Sequence, residues 1–274
     1  MKWMLALMLI LIPTIVHATD YSRKLPVGGK SRYYSLHVPR TLPQSPALVL
    51  VFHGTGMTGN SMAYYSGLST KADAAQFVAA YPDGLSGQFN DTTDVAFARA
   101  IVADVQLVTK TDPKRTFAAG MSNGAIFCYK LAAEASDVFA AIAPVAGTML
   151  TEPVAPMAAK VSVMHFHGTA DSYVPYNGGR FMSSVPNSVL TWAKIDGCAT
   201  TPVVTQLPNL VNDGTTVSRS VYSGPGAEVV LFTITGGGHT WPGMRTSPRY
   251  LGTTSYDISA NDLMWEFFKG HGKP

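Results

Sequence analysis

Thr116-Phe117-Ala118-Ala119-Gly120-Met121-Ser122-Asn123-Gly124 passes from an apolar run into a G-x-S-x-G pentapeptide, and residues 125–135 continue with helical character. A strand, a tight turn and a helix in that order give a serine a specific mechanical use. The residue sits in a strained backbone conformation, and small flanking residues keep the crowded bend free of side chains. The hydroxyl is lifted above the sheet edge, and the next backbone N–H stands at a helix N-terminus, where a developing negative charge is stabilised. The pentapeptide alone is a weak signal, because Gly and Ser are common, and an ordinary turn is the competing reading. The strand before it and the helix after it favour Ser122 as a nucleophile.

Working outward, apolar runs alternate with helical periodicity. Residues 47–52 (ALVLVF), 77–80 (FVAA), 139–145 and 161–166 are continuous apolar runs of the kind buried on both faces of a parallel sheet. Residues 32–38 (RYYSLHV) and 229–234 add two further strands. Helices are predicted over 94–110, where Phe97, Ile101, Val105 and Val108 recur at three- and four-residue spacing after Thr93 or Asp94 as cap, and over 187–196 and 261–269. The polar, turn-rich segment 202–226 carries no clear period. The pattern predicts an α/β fold, a mostly parallel central sheet with helices on both faces. No linker divides residues 19–274, which read as one domain.

A serine hydroxyl needs a base, and in the order typical of strand–serine–helix hydrolases the acid and then the histidine follow the nucleophile. His239 lies in Gly236-Gly237-Gly238-His239-Thr240-Trp241-Pro242-Gly243, a glycine-rich loop just past the last strong strand. His165 and His167 fall within or at the end of a strand and read as structural, and His271 reads as solvated near the C-terminus. Asp171 follows strand 161–166 in His167-Gly168-Thr169-Ala170-Asp171, at a strand end, where it would orient the imidazole. Asp257 and Asp262 come after His239, the wrong order. Asp196 and Asp213 occupy helix-end and turn settings that suit capping. Two backbone amides are predicted for an oxyanion: Asn123, directly after the serine, and Thr55 in His53-Gly54-Thr55-Gly56, with Gly54 as the alternative.

The 274-residue chain is 46% hydrophobic and 14% charged, the balance of a globular protein. With a formal charge of +3 and no Lys/Arg cluster longer than two residues, nothing suggests nucleic acid as a partner. Lys2, an uncharged run over 3–16 and Val16-His17-Ala18 describe a signal peptide over residues 1–18. The run falls short of the about 20 residues that span a bilayer, although an uncleaved anchor is the competing reading. Cleavage after Ala18 would leave a secreted chain starting at Thr19, with charge reduced from +3 to +2 by loss of Lys2 and no stable membrane association. The two cysteines, Cys128 and Cys198, permit one disulfide in an exported protein; a buried thiol is the alternative for Cys128, which lies in an apolar helical stretch.

Taken together, residues 29–39 (GKSRYYSLHVP), 51–56 (VFHGTG), 81–84 (YPDG), 120–124 (GMSNG), 167–176 (HGTADSYVPY), 237–243 (GGHTWPG) and 265–268 (WEFF) resemble the secreted esterases of the polyhydroxybutyrate depolymerase family, which includes feruloyl-esterase-like enzymes. The resemblance implies the α/β-hydrolase fold, ester substrates and no metal or organic cofactor, and it places the triad on Ser122, Asp171 and His239. The chain departs from the family pattern in having Phe89-Asn90 where the family implies Trp-Asn. It also lacks the cysteine near Ser223 or Gly224 that the family pairs with Cys198.

Trp241, two residues after His239, and Tyr81, at a strand end, are the candidate substrate contacts, able to stack on an aromatic acyl group or a sugar. Loop packing is the competing role for both. With no surface-binding module in view, the expected substrates are soluble: hydroxycinnamoyl or acetyl esters of plant polysaccharide fragments, or hydroxyalkanoate oligomers. A peptidase on the same fold and a non-catalytic binding protein are the alternatives in other functional classes.

Overall fold

The computed structural model describes residues 18–90, 92–150 and 157–274. The signal peptide read over residues 1–18 therefore lies, but for Ala18, outside the described residues. In chain order the elements are β1 (Thr19–Val27), β2 (Lys30–Val38), β3 (Leu48–Phe52), α1 (Gly59–Ser66), α2 (Leu68–Ala75), β4 (Val78–Pro82), α3 (Thr92–Thr109), β5 (Thr116–Met121), α4 (Asn123–Glu134), β6 (Ala141–Val145), β7 (Ser162–Gly168), α5 (Val185–Ile195), β8 (Val203–Gln206), β9 (Thr216–Gly224), β10 (Ala227–Thr235) and α6 (Ala260–Gly270). The strands form one ten-stranded sheet in the order β1-β2-β4-β3-β5-β6-β7-β10-β9-β8. From β4 to β10 the pairings are parallel. The flanking strands β1 and β2 on one side, and β9 and β8 on the other, pair antiparallel.

Alternation along the buried strands divides the core into two layers. Leu48, Leu50 and Phe52 of β3 face a layer with Phe97, Ile101 and Val105 of α3, Phe127 and Leu131 of α4, and Trp192 of α5. Val49 and Val51 face the opposite layer, with Met62 of α1, Ala72 of α2 and Met264, Trp265 and Phe268 of α6. Strands such as β3 and β6 are apolar throughout because both of their faces are covered.

Three features escape the sequence pattern. α1 and α2 are eight residues each, rich in Gly, Asn, Ser and Thr, and part at Gly67 in the left-handed region (φ 60°). α1 is held at its start by a reciprocal Thr58–Ser61 cap, a local device rather than a periodicity. The segment 202–226 forms β8, at the sheet edge, and β9 beside it, with most residues exposed or half-exposed. α3 starts at Thr92, and Asp94 in its first turn pairs with the buried Arg32 at 2.6 Å.

Cys128 and Cys198 are both buried free thiols, so no disulfide joins them. A Cβ on Gly224 would fall 2.7 Å from Cys198 Cα and 2.9 Å from its sulfur. The position where the family pattern places a cysteine thus faces Cys198, and glycine occupies it.

Candidate active site

β5, β6, β7 and β10 run parallel and adjacent, so the segments leaving their carboxyl ends converge on one edge of the sheet. Ser122 leaves β5 with φ 56° and ψ −118°, a strained conformation for a side chain with a Cβ. Its N–H donates to the Val145 carbonyl (3.0 Å). The neighbouring glycines are there for space: a Cβ on Gly124 would fall 2.2 Å from the Phe52 carbonyl oxygen, and one on Gly120 would fall 2.6 Å from the Gly124 backbone.

Asp171 follows β7 and His239 follows β10, and their side chains meet. His239 Nδ1 lies 2.7 Å from Asp171 Oδ2, with the carboxylate fully buried and the imidazole nearly so. The other carboxylate oxygen, Oδ1, accepts the N–H groups of Tyr173 and Val174, each at 2.9 Å. With both carboxylate oxygens engaged, the Asp171 side chain is fixed, and Nδ1 of His239 carries the proton that it donates, leaving Nε2 as the basic nitrogen. The His239 N–H donates to the Leu251 carbonyl (2.6 Å), which anchors the loop. Ser122 Oγ makes no hydrogen bond among the described residues. Asp171 and His239 are thus joined to each other, while no hydrogen bond among the described residues joins Ser122 to them.

The His53–Gly56 loop sits against the serine: a Cβ on Gly54 would be 3.3 Å from Ser122 Cβ. His53 braces this loop. Its Nε2 accepts the Gly84 N–H (2.9 Å), which leaves Nδ1–H to donate to the Gly54 carbonyl (2.8 Å). Burial pushes the imidazole below its ordinary range, consistent with that neutral tautomer. The Gly56 and Met57 amides are already paired, with the Gly87 and Gly54 carbonyls; among the described residues no acceptor takes the Thr55 amide. The Asn123 amide is in the first turn of α4, where no intrahelical acceptor exists. The Asn123 side chain clasps Phe89, accepting its N–H (2.8 Å) and donating to its carbonyl (3.1 Å). Phe89, in the place of the family's Trp, is buried against Phe52, His53 and Phe127.

The two proposed substrate contacts are corrected by the structure. Trp241 is completely buried, and its indole N–H donates to Asn261 Oδ1 (2.9 Å), whose own amide donates to the Ser66 carbonyl (2.8 Å). It ties the His239 loop to α6 and α1. Tyr81 is buried in the α1/α2/α6 layer, bonded through its hydroxyl to Ser69 (2.8 Å), and burial pushes its phenol up. Each has found a partner for its polar tip inside the core. The aromatic at the site is Tyr173, half-exposed, with its ring 5.1 Å from that of His239. Its only sequence signal is its place two residues after Asp171. His271 is half-buried against Phe267 rather than solvated.

Asp213 accepts the amides of Thr215 and Tyr256, and Asp257 those of Leu210 and Val211, so both are turn-forming groups. Among the described residues no helix is long and apolar enough to cross a membrane, and no cluster of three or more His, Cys, Asp or Glu is arranged around a metal position.

No family model matches the chain. A Nocardia uniformis subsp. tsuyamanensis protein named as an esterase, NocK, is 31% identical over 294 residues, covering 93% of this chain and 84% of that protein. Feruloyl esterase C of Emericella nidulans is 28% identical over 254 residues, with 86% and 83% covered. Poly(3-hydroxyalkanoate) depolymerase C of Paucimonas lemoignei is 32% identical over 126 residues, which is 40% of this chain and 30% of that protein. Among solved structures, an acetyl xylan esterase from Aspergillus awamori has the same fold, with a TM-score of 0.68 at 16% identity over 92% of this chain and 99% of that one. The chain belongs to this family of feruloyl-esterase-like and poly(3-hydroxyalkanoate)-depolymerase-like esterases of the α/β-hydrolase fold. It is a serine carboxylic ester hydrolase.

Proposed function

We propose that hydrolysis proceeds through an acyl-enzyme on Ser122. His239 Nε2 takes the serine proton as Oγ attacks the ester carbonyl, and Asp171 steadies the imidazolium that forms. The tetrahedral oxyanion is received by the Thr55 and Asn123 amides, donors that cost no reorganisation because the loops holding them are already braced. His239 then gives its proton to the leaving alcohol oxygen. A water, deprotonated by the same nitrogen, attacks the acyl carbonyl, and the acid leaves as the proton returns from His239 to Ser122 Oγ. No metal or organic cofactor has a part in this scheme.

The observation that carries it is the 2.7 Å hydrogen bond between His239 and Asp171, two buried side chains from separate strand ends, on the sheet edge that holds the strained serine. The substrates proposed are hydroxycinnamoyl or acetyl esters of plant polysaccharide fragments, or hydroxyalkanoate oligomers, in line with the names of the relatives. We also propose that the chain is exported by its first 18 residues and acts outside the cytoplasm as a water-borne enzyme, without nucleic acid or membrane partners.

Initial rates on p-nitrophenyl acetate, methyl ferulate, acetylated xylan and a hydroxybutyrate trimer, each with wild type and Ser122→Ala, test the scheme. Activity that vanishes in the variant is expected, and the preferred ester chooses between the plant-ester and hydroxyalkanoate readings. Activity that survives in Ser122→Ala would remove the serine from the mechanism.

A further inference from the structure

A chain of buried polar groups runs behind the acid loop. The Tyr129 hydroxyl lies 2.7 Å from His165 Nδ1, His165 Nε2 lies 3.1 Å from His167 Nδ1, and His167 Nε2 lies 2.9 Å from the Val174 carbonyl. The same His167 Nε2 is 3.4 Å from Asp171 Oδ2, the oxygen that meets His239. Tyr129 and both histidines are buried.

The proton positions follow from the far end. A carbonyl only accepts, so His167 Nε2 carries hydrogen. Its Nδ1 is then the acceptor, which requires hydrogen on His165 Nε2, and His165 Nδ1 accepts from the tyrosine hydroxyl. Every link is satisfied when both rings are neutral. Burial, the largest cause for each, pushes both imidazoles below their ordinary range, His165 furthest. The groups facing His167 are His165 on its own strand, Tyr129 from α4, Asp171 and Tyr176 from the loop after β7, and His239 from the loop after β10.

The ends of this chain are informative. Tyr129 belongs to α4, the helix that follows Ser122; Val174 belongs to the acid loop and donates its own N–H to Asp171 Oδ1. We propose that His167 is a positioning residue for ester hydrolysis: aimed by Tyr129 and His165, its Nε2–H holds the Val174 carbonyl and faces Asp171 Oδ2, fixing the carboxylate where it meets His239. Three polar side chains packed inside the core are expensive relative to an apolar filling unless they specify one geometry. Here the geometry specified is that of the catalytic acid relative to the nucleophile's helix. The inference rests on the triad reading given above.

The test compares His167→Leu, His167→Gln and Tyr129→Phe in the full chain with p-nitrophenyl acetate. The variants are also followed by proton NMR of the downfield resonance from the His239–Asp171 hydrogen bond. His167→Leu should lower kcat roughly tenfold to a hundredfold with KM within about twofold, the size of effect that small misplacement of a catalytic group produces. It should also shift or broaden the downfield resonance. His167→Gln, which keeps an N–H at a similar reach, should recover most of the rate. Tyr129→Phe, one oxygen smaller, should move both readouts in the same sense by less. If His167→Leu does not fold, Tyr129→Phe decides. A folded variant of either kind with wild-type kcat and an unmoved resonance overturns the proposal. Ser122→Ala run in parallel keeps the two readings apart. Turnover remaining there would sink the triad, whereas the resonance reports on the positioning without any turnover.

Discussion

At the carboxyl ends of the parallel strands the backbone is held in conformations that cost energy beside buried ionisable groups, whereas the positive-φ residues on the amino side, Gln76 (φ 59°) before β4 and Lys110 (φ 55°) before β5, only end the helices α2 and α3. Ser122 (φ 56°) after β5 and Ala146 (φ 53°) after β6 both lie in the left-handed half of φ space without being glycine. Asp171, His165, His167 and His239 are all buried at or near that edge. The amino ends are closed by plain backbone and side-chain bonds: the Leu48 amide to the Arg115 carbonyl (2.9 Å), the Ala140 amide to the Thr116 carbonyl (2.9 Å) and the Trp192 indole N–H to the Val161 carbonyl (2.8 Å). One edge spends stability on geometry and the other supplies stability through packing. Mutations at the two edges should therefore separate activity from folding, with one exception at the amino edge, Asp196.

The largest effect expected belongs to Ser122. Ser122→Ala should lower turnover roughly a millionfold, measured as kcat on p-nitrophenyl acetate, with the fold intact by circular dichroism. The strain at the same residue is read by a second substitution. Glycine tolerates positive φ, so Ser122→Gly, equally inactive, should melt about 2–4 °C above Ser122→Ala, the shift that about 1 kcal/mol of relieved strain gives a chain of this size. Equal melting temperatures would mean that the bend stores no strain and that the contrast between the two edges is wrong at its centre.

Trp241 tests the carboxyl edge from the packing side. Removal of a buried tryptophan costs about 3–5 kcal/mol, and Trp241→Ala also strands the Asn261 carbonyl oxygen that accepts its indole N–H. A large drop in the denaturation midpoint is expected, with KM of the folded fraction little changed for every ester in the panel. A selective rise in KM for aromatic or sugar esters, with stability preserved, would restore Trp241 as a substrate contact. Tyr173→Ala is the complementary change. With its half-exposed ring beside His239, its effect should fall on KM, by a few fold, and not on stability.

What the sequence reveals and what it conceals follow the same division. The buried strands are legible because both faces are covered and their residues are mostly apolar. The strand-end positions of Ser122, Asp171 and His239, the residues proposed as nucleophile, acid and base, are legible because each follows a readable strand, in chain order. Trp241 and Tyr81 mislead because composition reports an aromatic near the site but not the direction of its ring. In the structure each ring points into the α1/α2/α6 layer, where a polar partner, Asn261 or Ser69, awaits it. α1, α2, β8 and β9 are hidden for a different reason: two eight-residue helices and two largely exposed strands beside the sheet edge are too short or too polar to leave a clear period in the sequence. The histidines of β7 are legible as buried structure. That they lead from α4 to the acid is visible only when residues 129, 165, 167 and 174 are brought together across elements distant in sequence.

Asp196 is the exception at the amino edge and gives the smallest effect with the sharpest signature. Its Oδ1 accepts the Val161 amide at 3.3 Å, while Oδ2 is buried with no partner among the described residues. Burial is the largest influence and raises its carboxyl pKa to about 6, well above the ordinary carboxylate range. With the folded value above the unfolded one, the protonated form is favoured by folding. The stabilising contribution is complete below about pH 4 and is lost as pH rises through about 6, above which a buried charge must be carried. Asp196→Asn keeps the acceptor for Val161 and removes the charge. It should therefore raise stability by about 1–2 kcal/mol at pH 8, a discount on the full conversion because the new amide N–H has no acceptor waiting. The gain should shrink to nothing near pH 4, while kcat on the ester panel stays unchanged. Urea midpoints of both proteins across that pH range make the measurement. A gain independent of pH would locate the effect in packing, and a loss at pH 8 would mean that Asp196 is paired as a charge, making the amino edge no different in kind from the edge that carries the chemistry.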